Sequence, residues 1–304
     1  MSEVITVRNL RKTYKDVVAV KDISFEVHEG EIFGMVGPNG AGKTTTIECI
    51  EGLRQPDQGE ISLLGKHPIR DRSELSELIG VQLQESSLPA RLKVREALEL
   101  FASFYATSQS PDQLLSLLGL EEKSKSSFSK LSGGQKQRLF IALSLVNKPR
   151  VVFLDELTTG LDPQARRSMW DLVKQVREQG CTVFLTTHFM EEAERLCDRV
   201  LIMDYGQIVA LDTPEGLIRK IGAEMRITFV LPLNKKPPDF KEIPQVTHVE
   251  KKDEQIAIFG RGERFISKVI AKLEDEKVPF KDLHINEPNL EDVFLNLTGR
   301  EMRE

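Results

Sequence analysis

Residues 37–44 read Gly-Pro-Asn-Gly-Ala-Gly-Lys-Thr, and no other stretch limits the possible fold so tightly. They fill every fixed position of the phosphate-loop pattern G-x-x-x-x-G-K-[ST]. The flanks agree with it. Glu31-Ile32-Phe33-Gly34-Met35-Val36 is a short apolar run that predicts a buried strand, and Thr45-Thr46-Ile47-Glu48-Cys49-Ile50 carries on as a helix. A strand feeding a glycine-rich turn into a helix N-terminus makes an anion cradle, because free N–H groups and the positive dipole end converge there. The loop from Gly37 through Pro38, Asn39, Gly40, Ala41 and Gly42 to Lys43, Thr44 and Thr45 is therefore a candidate for nucleotide binding. Its glycines let backbone amides wrap a β-phosphate. Lys43 reaches the β/γ-phosphates, and the Thr44 hydroxyl ligates Mg²⁺.

Two further strings suit the same chemistry. In Leu131-Ser132-Gly133-Gly134-Gln135-Lys136-Gln137-Arg138, a serine and two glycines run into the apolar Leu139-Phe140-Ile141-Ala142-Leu143. Ser132 can cap a helix start, and the glycines allow close approach of a ligand. Alone, the string could be an ordinary helix cap. In Val151-Val152-Phe153-Leu154-Asp155-Glu156, four apolar residues form a buried parallel strand that delivers two carboxylates to its C-terminal end, where α/β folds place their sites. Asp155 is expected to hold Mg²⁺ through its water shell, and Glu156 to polarise the attacking water.

Taken together, these ordered motifs resemble the nucleotide-binding subunit of an ABC transporter, over residues 3–220. The resemblance implies a P-loop NTPase of the α/β class, with a parallel-sheet core and a helical subdomain. It implies that ATP is hydrolysed with Mg²⁺ between two subunits arranged head to tail. Ser132, Gly133, Gly134 and Gln135 then contact the ATP held by the other subunit. One chain offers two phosphate-binding helix starts and a single Asp-Glu pair, which agrees with that arrangement. By the same resemblance, Tyr14 stacks on adenine, and Gln84 touches Mg²⁺ and relays motion to the membrane partner. Gln82, two residues away, shares its residue type. Gly160, Leu161 and Asp162 resemble the loop that crosses the dimer interface. His188, after the apolar run Val183-Phe184-Leu185-Thr186-Thr187, matches the switch histidine at the γ-phosphate. The family usually has proline after the Asp-Glu pair, and here stands Leu157, which is expected to leave a softer loop and adds a backbone N–H.

At 304 residues the chain exceeds one comfortable core, so a large and a small domain are expected. Residues 1–220 would be the ATPase domain, with its helical subdomain at 86–147. There Val94, Ala97, Leu98, Phe101, Ala102 and Tyr105 recur at helix spacing, and Ser110-Pro111 offers an N-cap with proline at N1. The resemblance puts a groove here that receives a helix of the membrane partner. Residues 148–220 return to strand–helix alternation and are expected to close the parallel sheet. Residues 221–304 change character and predict a small α/β domain for assembly or regulation. It would contain strands at 225–231 and 255–259, a linker at Asn234-Lys235-Lys236-Pro237-Pro238, a helix through Phe265–Leu273, and a last helix with Leu290, Val293, Phe294 and Leu297 capped by Asn289. The segments Glu287–Phe294 and Leu297–Arg300 resemble the tail of daunorubicin-resistance-type ATPases, which implies an ABC-2-type exporter.

Composition excludes other classes. Net charge is −5 with Lys and Arg dispersed, which argues against a nucleic-acid groove. Cys49, Cys181 and Cys197 have no metal-ligand spacing and are expected to be reduced and buried. No signal peptide is seen, and no apolar run approaches the roughly 18–20 residues that a bilayer requires. The expectation is a cytoplasmic subunit, peripheral on the inner face of the cell membrane, that works with a permease encoded elsewhere as a homodimer or paired with a second ATPase subunit. The competing expectation is a soluble ABC-type ATPase acting on ribosomes or DNA. Such proteins typically carry two cassettes or long coiled coils, and this chain has neither.

Overall fold

The computed structural model describes residues 2–82, 87–222, 224–232, 237–252, 254–262 and 264–300. Gln84 and the Asn234-Lys235-Lys236 part of the expected linker lie outside them. The chain divides into two compact units, one running to Pro214 and taking the chain again from Leu297, the other Glu215–Asn296.

In the first unit, β1 (Glu3–Tyr14) and β2 (Val17–His28) form a long antiparallel hairpin. After β3 (Ile32–Val36), the phosphate loop and α1 (Lys43–Ile50), strand β4 (Gln58–Leu63) pairs with the free side of β1. This gives a three-stranded sheet in the order β2-β1-β4. Its apolar face, including Ile5, Val7, Leu10, Ile23 and Phe25, shares one core with Phe33 and Met35 of β3 and with Ile47 and Ile50 of α1.

Next come α2 (Arg72–Ser76) and β5 (Ile79–Gln82), then three helices: α3 (Val94–Ala102), α4 (Pro111–Leu117) and α5 (Gly133–Ser144). Ser110 caps α4 by accepting from the Gln113 N–H at 3.2 Å, with Pro111 in the first turn, as the sequence suggested. The expected stripe is cut short at its far end. α3 stops at Ala102, where the Ser103 hydroxyl donates to the Leu100 carbonyl, so Tyr105 lies beyond the helix.

The chain then alternates through β6 (Val151–Asp155), α6 (Pro163–Glu178), β7 (Thr182–Thr187), α7 (Met190–Leu196), β8 (Arg199–Asp204) and β9 (Gln207–Asp212). The main sheet has the order β5-β6-β7-β3-β8-β9. Every residue of β3, β6 and β7 is buried, as central parallel strands covered on both faces require. Phe33, Phe153 and Phe184 form a ladder with Phe25 at centroid spacings of 5.4–6.4 Å. Each buried phenyl contributes roughly 1.5–3 kcal/mol of hydrophobic stabilisation. One expectation needs correction. β9 pairs antiparallel with β8, because the turn at Tyr205-Gly206 is too short for a parallel crossover.

The second unit begins in α8 (Pro214–Lys220). Strands β10 (Met225–Val230), β11 (Val246–Lys252), β12 (Gln255–Gly260) and β13 (Lys281–Asn286) make an antiparallel sheet in the order β11-β12-β10-β13. The helix α9 (Phe265–Asp275) buries Phe265, Val269 and Leu273 in the same core as Ile227, Phe229, Ile256 and Ile258. The last helix, α10 (Leu290–Thr298), starts at Asn289, whose Oδ1 accepts from the N–H groups of Glu291 and Asp292. β11 and β13 were not legible in the sequence because both are edge strands, largely exposed and rich in charge.

Candidate functional site

Parallel order places the loop after β3, the carboxylates at the end of β6 and the residue after β7 at the same sheet edge. β3 and β7 run in register as Val36 beside Thr187, and β6 and β7 as Asp155 beside Thr186. Four side chains named from sequence meet there. The Glu156 carboxylate lies 3.9 Å from Lys43 Nζ and 3.6 Å from His188 Nδ1. Asp155, on the preceding residue, accepts a hydrogen bond from the Thr186 hydroxyl.

The phosphate loop has the backbone that its glycines permit. Gly42 sits at φ 103°, and a Cβ there would meet the Ala19 carbonyl 2.5 Å away, so no other residue fits. Lys43 opens α1 and is buried, its Nζ donating to the carbonyls of Gly37 at 2.7 Å and Pro38 at 3.2 Å. Burial pushes the Lys43 ammonium down, against the pull of Glu156 and Asp155. Thr44 is exposed beside it, and Thr45 is half-buried. Burial also pushes the Asp155 carboxyl up; the Thr186 hydrogen bond opposes this and the Glu156 charge adds to it. A buried acid pair faced by a lone lysine fits a cation at this place, and Thr44 and Asp155 are the oxygen donors of the right kind.

Glu156 has φ 49°, in the left-handed region, which a non-glycine residue adopts only when its surroundings impose it. Here they do. Its N–H donates to the Thr186 carbonyl and hydroxyl at 3.1 and 3.2 Å, and its carbonyl accepts from the Thr159 N–H at 3.2 Å. Leu157 is 2 % exposed. Its side chain is thus packed into the core at the place where the family usually has proline. His188 Nδ1 is buried with no hydrogen-bond partner, and its ring lies 4.1 Å from the Phe189 ring, which in turn stacks under the Arg166 guanidinium. An orphaned ring nitrogen aimed into an acid–lysine cluster marks where a ligand group would complete the site.

The other named residues lie on separate elements. Ser132 caps α5: its hydroxyl accepts from the Gln135 N–H at 3.3 Å, while the Gln135 side chain accepts from the Ser132 N–H at 3.0 Å. That capping box leaves the first-turn amides of Gly133 and Gly134 pointing out of the helix start. Gly134 faces Ala165 of α6 rather than the phosphate loop. Asp162 caps α6 by accepting from the Ala165 N–H at 2.8 Å, and Gly160 takes φ 76° in the turn before it, with Leu161 bonded to the Thr158 carbonyl. Tyr14 ends β1, partly exposed, with the Arg54 guanidinium 5.1 Å and Lys12 Nζ 5.7 Å from its ring centre. The three cysteines are free and buried.

Two participants escaped sequence reasoning. Thr186 holds the Asp155 carboxylate and the Glu156 backbone N–H, and only the register of β6 against β7 shows it. Arg54, held by Glu48 at 2.6 Å, braces Tyr14. The signal for Arg54 was an arginine six residues after a glutamate, which has no meaning until α1 ends and the chain turns back.

Comparison with known proteins gives a consistent picture. A family model described as ABC transporter matches residues 20–159. The chain is 40 % identical to the Nod factor export ATP-binding protein I of Burkholderia orbicola, over 99 % of this chain and 98 % of that one. It is 34 % identical to a linearmycin resistance ATP-binding protein of Bacillus subtilis, over 97 % and 98 % of the two chains. Among solved structures, an ATP-binding subunit of an ABC transporter matches with TM-score 0.65 at 29 % identity, covering 72 % of this chain and 93 % of that one. A dimeric ATP-binding cassette in a post-hydrolysis state, bound to ADP and phosphate, matches with TM-score 0.62 at 28 % identity, covering 69 % and 98 %.

Proposed function

The chain belongs to the ABC transporter ATP-binding family, and from that premise we propose that it powers an ABC-2-type exporter whose permease is a separate chain. It is an ATP hydrolase. The observation that carries the assignment of roles is the convergence of Lys43, Asp155, Glu156 and His188 at one sheet edge beside the phosphate loop. The likeness to export ATP-binding proteins runs over nearly the whole length, so the ribosome or DNA reading is not favoured. Among the described residues no helix is long and apolar enough to cross a membrane, which agrees with a permease on another chain and a peripheral place on the inner membrane face.

The site residues divide the work. The loop amides of residues 37–45 and Lys43 bind the phosphates, and Tyr14 offers a ring face to the base. Mg²⁺, held by Thr44 and Asp155, would neutralise charge on the β/γ-phosphate oxygens. Glu156 takes the proton of the attacking water, with its carboxylate kept in place by the strained backbone and by Lys43 and His188. His188 Nδ1 is the donor or acceptor left for the γ-phosphate. Ser132, Gly133, Gly134 and Gln135 complete the site of the opposite subunit in a head-to-tail dimer, with Gly160, Leu161 and Asp162 along the interface. A related cassette described as dimeric supports the formation of a dimer. Residues 221–304 serve assembly or regulation, because none of the phosphate-binding or acid–base residues lies there.

The test is Glu156→Gln. Mg·ATP binding should persist, while hydrolysis falls on the order of 10²–10⁴-fold. ATP should then hold two subunits together on a sizing column. Near-wild-type turnover would end the assignment of Glu156.

A further inference from the structure

The phosphate loop rests on a turn far along the chain. β8 runs beside β3, with Ile202 opposite Val36, so the turn after β8 comes up directly behind the loop that follows β3. A Cβ on Gly37 would stand 2.3 Å from the Met203 carbonyl, and one on Gly42 would stand 3.5 Å from the Gly206 Cα. A hydrogen bond ties turn and loop together: the Gly206 N–H donates to the Ala41 carbonyl at 3.0 Å. Loop amides that wrap phosphates keep their directions only as well as this support keeps its place.

The support does not hold itself. Asp204, the last residue of β8, is 7 % exposed, and a carboxylate buried to that degree is costly without a cation. Tyr205 follows at φ 45°, in the left-handed region, with its side chain exposed. One side chain answers both. The Arg300 guanidinium donates to the Asp204 carboxylate and lies 4.4 Å from the Tyr205 ring centre. It is delivered by the end of the last helix. α10 stops at Thr298, Gly299 turns the chain at φ 72°, and the Thr298 hydroxyl donates to the Arg300 carbonyl at 3.2 Å. From Leu297 the chain belongs to the first unit, together with the loop behind which it lies.

We propose that Arg300 is a positioning residue for ATP binding: by neutralising Asp204 and covering Tyr205 it holds the turn after β8 against the phosphate loop. The proposal rests on the reading of residues 37–45 as the phosphate binder. Without the guanidinium the Asp204 charge is stranded, and the turn shifts to let water reach it. Gly206 moves with the turn, and its bond to Ala41 fails. The effect falls on affinity rather than on the chemical step, because the turn supports the loop while the catalytic carboxylates stand at the end of β6.

The experiment is a titration of the purified full-length chain with Mg·ATP carrying a fluorophore on its ribose, alongside steady-state ATPase. Arg300→Ala should weaken binding about tenfold and raise KM to match, with kcat within about twofold of wild type. Arg300→Lys, which keeps the charge, should stay within about threefold in affinity. Arg300→Ala combined with Asp204→Asn, which removes the stranded charge, should regain most of the lost affinity. Wild-type binding by Arg300→Ala overturns the proposal. A fall in kcat at unchanged affinity also overturns it, since that marks fewer folded molecules rather than a displaced loop. If the double variant binds no better than Arg300→Ala, the stranded acid is not the cause, and the pairing is overturned. Lys43→Ala is the control for the loop itself: wild-type affinity in that variant removes the phosphate-binding reading, and with it this proposal.

Discussion

Replacing Glu51 by Gln should change the stability of the free chain in a pH-dependent way whose size follows from its burial. Glu51 is 7 % exposed, and its carboxyl stands at about 8 instead of an ordinary 4.5, through burial first and then the charges of Asp155 and Glu48. The folded state therefore keeps a proton that the unfolded chain releases above about pH 4.5. Stability from this group is present at low pH and is lost as pH rises from about 4.5 to about 8. Between about pH 5 and pH 8 the loss is on the order of 3 kcal/mol. Glutamine carries no such term, although an amide buried where Oε2 has no hydrogen-bond partner costs a roughly constant 1–3 kcal/mol at every pH. The gap between variant and wild type should thus move by about 3 kcal/mol in favour of the variant across that range. The constant term cancels in that comparison. Urea unfolding followed by the fluorescence of Trp170, the single tryptophan and buried in α6, reads the first unit directly. A gap that stays constant, or moves in favour of the wild type as pH rises, would refute the reasoning, because it would mean that Glu51 is ionised and already paired.

Two further outcomes are expected. Lys43→Ala should weaken nucleotide binding to the isolated chain, because it removes the buried ammonium that closes the loop, whereas Ser132→Arg or Gly134→Asp should leave that binding intact and stop ATP-driven dimerisation and turnover. Equal loss of monomer binding in all three, read by nucleotide titration, would sink the role in trans. A chain cut after Lys220 should still bind ATP but dimerise or couple less well; since Arg300 pairs with Asp204 and lies over Tyr205, its melting temperature should also fall. Unchanged ATPase rate, dimerisation and transport would dismiss the assembly role.

What could be read in the sequence was whatever depends on neighbours along the chain. The phosphate loop, the Ser132 cap, the Ser110-Pro111 helix start and the Asn289 cap are local patterns, and the structure has each of them at its place. The central strands were legible for the same reason, since complete burial demands continuous apolar runs. Gln84 lies outside the described residues. Pairing across the chain was not legible. Nothing in Gln207–Asp212 announces that it turns back antiparallel, and nothing in Val246–Lys252 or Lys281–Asn286 marks an exposed edge strand as a strand at all.

The contrast between Leu157 and Thr186 shows why local reading fails within the site itself. By residue type alone, leucine in place of proline frees a dihedral, and the inference of a softer loop is correct for an isolated peptide. In the folded chain Leu157 is buried, and the left-handed backbone of Glu156 is held by bonds to Thr186 and Thr159. Where proline would restrict the turn through one fixed dihedral, the contacts found here are packing of Leu157 and bonds to a neighbouring strand. Thr186 is thirty-one residues from Asp155 and touches it only because β6 and β7 run parallel in register. The Asp155 carboxylate is therefore named by the β6 sequence but held by β7, and a substitution at Thr186 should disturb it, and the Glu156 backbone, without altering any residue of the motif.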